Sequence, residues 1–144
     1  MFKRILLPTD GSDAAMRAVA RGIELAAQLG AEVTVMTAIE RFPSGIMGSG
    51  YRPPEPQQEV HGLQAANYWL DQAEAVARGA GVPCQRIVER DKPVFRAILD
   101  AAQMCNADLI VMGTHGMGLI ERIFVGSQTQ RVLAHTAIPV LTLR

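Results

Sequence analysis

The chain has 144 residues, with 14 Lys+Arg against 14 Asp+Glu, 49% hydrophobic residues and two cysteines. That length suits one domain with a sizeable core. A net charge of zero excludes the broad positive surface that gathers nucleic acid or anionic lipid, so any phosphate must be held by local contacts. Cys84 and Cys105 match neither a disulfide framework nor a zinc site. No run approaches the ~18 apolar residues of a membrane span, and the opening residues do not read as a signal peptide. A reducing, cytoplasmic setting without membrane or nucleic-acid partners is expected.

Ile5, Leu6 and Leu7 form a continuous apolar run closed by Pro8, the pattern of a strand buried on both faces. Thr9 to Asp13 supply turn and cap residues. Ala14, Ala15, Val19, Ile23, Ala26 and Ala27 then recur at helical spacing up to Leu29 and Gly30. The β-branched run from Val33 to Ile39 predicts a second strand. Residues 42–58 hold four prolines and three glycines without a period of either kind, and are read as a long loop. Leu63, Ala66, Leu70, Ala73 and Ala77 mark a second helix ending near Gly79 or Gly81. Ile87 and Val88 mark a short third strand, and Pro93 opens a third helix through Val94, Ile98, Leu99 and Ala102. Residues 108–113 form a fourth strand, 127–136 a fourth helix and 139–144 a fifth strand. Strand and helix in alternation argue for an α/β fold with a parallel sheet covered on both faces. Ligands of such sheets bind beyond the carboxyl ends of the strands, where strand order reverses.

Directly after the fourth strand stand Gly113-Thr114-His115-Gly116, then nine residues, then Gly126-Ser127 opening the last helix. Glycines let main-chain N–H groups approach an anion, and a helix N-terminus adds unpaired donors and partial positive charge. Ser127 and Thr129 add hydroxyl donors, and Asp10 at the end of the first strand is placed to accept from a ribose. From the residues alone two readings stand side by side: a phosphate cradle, or a tight turn followed by a helix cap.

The two glycines, the nine-residue gap and the third glycine with its serine, together with residues 5–12 and Pro139-Val140-Leu141, resemble the universal stress protein family over the whole chain. The resemblance implies a Rossmann-like five-stranded parallel sheet in the order 3-2-1-4-5. It implies a homodimer pairing through the last strand and, because the glycine motif marks the nucleotide-binding subgroup, an ATP-binding stress-response or signalling module. Carried over by residue, adenine would lie near Pro8, Thr9, Ala38 and Met112, with Asp10 at the adenosine end. Gly113, Thr114, Gly116, Gly126, Ser127, Gln128 and Thr129 would hold ribose and phosphates of ATP, ADP or AMP, mostly through main chain. Two residues depart from the family pattern, Ala38 and Gln128, where valine is common. The alternatives are an interaction protein of the family's A type, which binds no nucleotide, and a slow ATPase or phosphotransferase.

The remaining signals point elsewhere. A Gly45, Gly48, Gly50 string follows no strand and opens no helix, so it is not a dinucleotide fingerprint. The chain's lysines, Lys3 and Lys92, lie outside the glycine motif, which argues against fast phosphoryl transfer. His115 has no partner base to make it catalytic, and His61 and His135 read as solvated. Arg122 within the gap reads as solvated beside Glu121 more readily than as a phosphate contact. Any Mg²⁺ or Mn²⁺ would arrive with the phosphates. Tyr68, Trp69 and Leu70 read as core packing, and valine at Gly113 or Gly116 is expected to block the phosphates at little cost to the fold.

Overall fold

The structure is a computed structural model that describes residues 1–39, 55–114 and 127–144. The opening apolar run is β1 (Arg4–Pro8), followed by α1 (Asp13–Leu29), β2 (Glu32–Ile39), α2 (Glu55–Gly79), β3 (Cys84–Arg90), α3 (Val94–Met104), β4 (Leu109–Gly113), α4 (Ser127–His135) and β5 (Val140–Leu143). All pairings are parallel, and the sheet order is β3-β2-β1-β4-β5. Order therefore reverses between β1 and β4, which lie side by side at the centre.

Alternation along the strands divides the core between two faces. Ile5, Leu7, Val33, Val35, Leu109 and Val111 pack with Val19 and Ile23 of α1 and Leu70 and Ala73 of α2. Leu6, Met36, Ile110 and Met112 pack with Ile98 and Ala101 of α3 and Val132 of α4. Each helix thus buries its stripe against one face. α1 is closed at both ends by its own sequence. The Ser12 hydroxyl accepts from the Ala15 N–H at 3.2 Å, and Gly30 takes the left-handed conformation, φ 64°, that ends the helix. Asp108 ties the start of β4 to β1, accepting from the Lys3 and Arg4 N–H groups at 2.8 and 3.0 Å.

Two elements differ from the sequence reading. α2 begins at Glu55, inside the stretch read as loop; residues 42–54 lie outside the described ones. Pro56 blurred that boundary, because a proline in the first helical turn removes no intrahelical bond and so is compatible with a helix start. β3 spans seven residues, longer than the Ile87-Val88 pair suggested. It is an edge strand, so polar Gln85, Arg86, Glu89 and Arg90 occupy strand positions that an apolar pattern misses.

Charge also fastens that edge. The Arg86 guanidinium straddles the Glu74 carboxylate of α2 at 2.8 and 2.6 Å and reaches Asp71 at 2.5 Å. The Arg86 hydrogen bond holds the Glu74 pKa below its ordinary 4.5, against the opposing effect of burial. A carboxylate with a lowered folded-state pKa stabilises above its unfolded pKa, and that contribution is lost as pH falls through the folded value. Arg86→Met is therefore expected to cost about 1 kcal/mol near neutral pH, with the gap to wild type closing as urea midpoints are measured below pH 4.5. A gap that is constant with pH would count against the pair.

Candidate functional site

Everything that shapes the site begins where β1 ends. Pro8 has no N–H to continue a ladder, and the chain turns over Thr9, whose N–H still reaches the Met36 carbonyl at 2.9 Å. The Thr9 hydroxyl accepts from the Gly11 N–H at 3.1 Å and donates to the Met16 sulfur at 3.2 Å. Thr37 of β2 donates its hydroxyl to the Thr9 carbonyl at 3.0 Å. The Asp10 carboxylate accepts from the Ser12 N–H at 2.9 Å, closing an Asx turn that aims α1 back over the sheet. Gly11 sits at φ 77°, and the Trp69 indole of α2 occupies the space its Cβ would fill.

On the other side of the reversal β4 ends at Gly113, and Thr114 is fastened to β5 by its N–H and hydroxyl, both donating to the Leu143 carbonyl at 2.8 and 3.3 Å. Between the two strand ends lies a cleft of about 90 Å³. Its apolar lining is Pro8, Met36, Ala38, Val94, Ile98 and Met112. Its polar lining is Thr9, Asp10, Ser12, Thr114, Gln128 and Thr129, and the small residues Ala14, Ala15 and Gly113 complete it. The structure thus brings together nine of the residues picked out by sequence: Pro8, Thr9, Asp10, Ala38, Met112, Gly113, Thr114, Gln128 and Thr129. Gly116 and Gly126 lie outside the described residues, as do His115, Glu121 and Arg122; Ser127 opens α4.

Sequence reasoning missed Met36, Val94 and Ile98 as cleft residues because apolar side chains at strand and helix spacing read as core. It also misjudged Gly113. A Cβ there would lie 2.8 Å from the Ala14 carbonyl oxygen and 3.3 Å from the Ala15 Cα, so bulk at this position meets α1 backbone and threatens the fold itself. Of the α2 trio, Leu70 is buried and Trp69 half-buried on Gly11, but Tyr68 is 61% exposed and not core.

A wider hollow of about 450 Å³ opens at the opposite end of the sheet, beside Lys3, Arg4, Glu32 and the C-terminal ends of α1 and α2. Helix C-termini present carbonyls and partial negative charge. That end lacks the convergent N-termini that suit an anionic ligand, so the smaller cleft at the strand reversal is the better candidate. Among the described residues no helix is long and apolar enough to cross a membrane.

A parallel five-stranded sheet in this order, wound on both faces and opening a cleft at its strand reversal, is the doubly wound α/β fold. The sequence profile of the universal stress protein family matches residues 1–144, and the chain belongs to that family. The universal stress protein of the QAH/OAS sulfhydrylase 3′ region in Thermus aquaticus is 40% identical over 148 residues, covering 100% of both chains. A universal stress family protein from Burkholderia pseudomallei shares the fold with a TM-score of 0.79 at 28% identity, over 99% of this chain and 96% of that one. A universal stress protein from Archaeoglobus fulgidus, solved in complex with dAMP, has a TM-score of 0.70 at 23% identity, over 100% of this chain and 98% of that one.

Proposed function

We propose that the cleft binds ATP and that the protein acts as a nucleotide-dependent stress-response or signalling module. One observation carries this reading. Three separated stretches, Pro8 to Asp10, Met112 to Thr114 and Gln128 to Thr129, line a single cleft at the strand reversal, and they are the stretches that the family resemblance selects for a nucleotide. The dAMP complex of the Archaeoglobus fulgidus protein supports an adenine nucleotide as a ligand of this fold.

In this reading the apolar lining takes the base, Asp10 accepts from ribose hydroxyls, and the start of α4 faces the phosphates, with Gly116, Gly126 and Ser127 completing the cradle. Mg²⁺ or Mn²⁺ would be carried by the phosphates. The role is binding rather than rapid phosphoryl transfer. Lys3 lies at the other end of the sheet, and Lys92 is engaged by Glu89 at 2.8 Å and Asp100 at 2.9 Å, so neither supplies the positioned cation such chemistry needs. A cytoplasmic homodimer belongs to the same reading: β5 is the outer strand beside β4, Leu141 is 38% exposed on it, and a second copy pairing there would cover the edge.

Trp69 is the chain's single tryptophan, and its position on Gly11 beside Asp10 makes it a reporter of the cleft. Titration with ATP is expected to change its emission saturably, and Asp10→Ala to weaken binding about tenfold through the lost charge-assisted hydrogen bonds. Calorimetry showing no heat and no emission change at millimolar ATP would overturn the reading.

A further inference from the structure

α3 and α4 meet around one aromatic ring. Phe95, half-buried against the core of that face, has the guanidinium carbons of Arg96 and Arg131 at 5.3 and 5.8 Å from its ring centroid, and the His135 ring at 5.2 Å. Both arginines are exposed. Neither guanidinium has a hydrogen-bond or acidic partner among the described residues, whereas Arg4, Arg21 and Arg86 each meet a carboxylate. No local acid is free to answer them. α4 carries no acidic residue, and the one acid of α3, Asp100, is already paired with Lys92 at 2.9 Å.

We propose that this seam between α3 and α4 is a docking surface for a protein segment that carries carboxylates on both sides of an apolar residue. A guanidinium held over an aromatic ring spends its flat face there, while the N–H donors at its edge keep the fork that matches a carboxylate. Two such forks held on one ring have less side-chain freedom to lose on binding. Phe95 and Leu99, one turn apart on α3 and both partly buried against the same cluster, add an apolar centre beside the charges, the anatomy of a protein interface. Charge also separates the anionic partners. A nucleic acid is gathered by a longer run of cations, and here two arginines on a chain of zero net charge answer a pair of carboxylates. The surface shares no lining residue with the cleft, although α3 and α4 also supply Val94, Ile98, Gln128 and Thr129 to it. It therefore stands independently of the nucleotide reading.

Fluorescence anisotropy at low salt tests it with three labelled probes: a peptide with glutamates on both sides of one leucine, the same peptide with lysine in place of glutamate, and an oligothymidylate. Wild type is expected to bind the glutamate peptide most tightly. Arg96→Gln combined with Arg131→Gln is expected to weaken that binding about tenfold. Arg17→Gln combined with Arg78→Gln, exposed arginines on the helices of the other face, is expected to leave it unchanged. Arg96→Glu combined with Arg131→Glu should turn the preference toward the lysine peptide, an outcome that a misfolded variant does not give. Equal losses from the two glutamine pairs would overturn the proposal, because the attraction would then be diffuse. Tighter binding of the oligothymidylate, or no binding of the glutamate peptide at millimolar concentration, would overturn it as well.

Discussion

Replacing Gly11 with alanine is expected to cost about 2 to 4 kcal/mol of stability and to shift Trp69 emission to the red. Two effects combine. The residue sits at φ 77°, a backbone conformation in which an L side chain is strained by about 1 to 2 kcal/mol. The new methyl also falls within the Trp69 indole, so α2 must release its aromatic anchor into water or shift along the turn. The two effects separate in a double-mutant cycle. In a Trp69→Ala background the steric part is gone, and Gly11→Ala should cost only the backbone strain. Additive urea-denaturation free energies across the cycle would show that the indole does not rest on Gly11. The consequence reaches the site, since Asp10, Gly11 and Ser12 form one hydrogen-bonded turn; a turn pushed by Trp69 carries Asp10 out of place.

Much of this architecture was legible because β1, β2 and β4 are buried on both faces and so read as continuous apolar runs, while α1 carries its own start and stop in Ser12 and Gly30. β3 was harder to read. Its outer edge faces solvent, and Arg86 belongs to an ion-pair cluster with α2 that no periodicity announces. The start of α2 was hidden by Pro56, since the same residue signals a loop or a first helical turn. At the cleft, residues flanking strand ends were legible from spacing: Pro8 to Asp10 and Met112 to Thr114 follow directly from where β1 and β4 stop. Met36, Val94 and Ile98 were not, because an apolar residue lining a cleft and one filling a core obey the same pattern. Only the sheet order, which puts β1 beside β4, tells which apolar ends face the opening.

Gly113→Ala carries the second large effect, an expected loss of about 1 to 3 kcal/mol from overpacking together with weakened ATP binding. Gly113→Val should be worse on both counts. The cause differs from that at Gly11. Here the obstacle is backbone, the Ala14 carbonyl oxygen at 2.8 Å and its carbon at 3.1 Å, so no side-chain rotation relieves it and α1 must move away from β4. Ala14→Gly removes a methyl but leaves that carbonyl, and is expected not to rescue the variant, whereas Trp69→Ala should remove the steric part of the Gly11 defect. Because Ala14, Ala15 and Gly113 line the cleft together, their close approach sets the gap between the two central strand ends. Stability and affinity should therefore fall together. Urea unfolding and ATP titration on the same preparations decide the point. Wild-type stability with lost binding would return Gly113 to a role in the phosphate path alone, and wild-type values for both would show that α1 yields freely at its first turn.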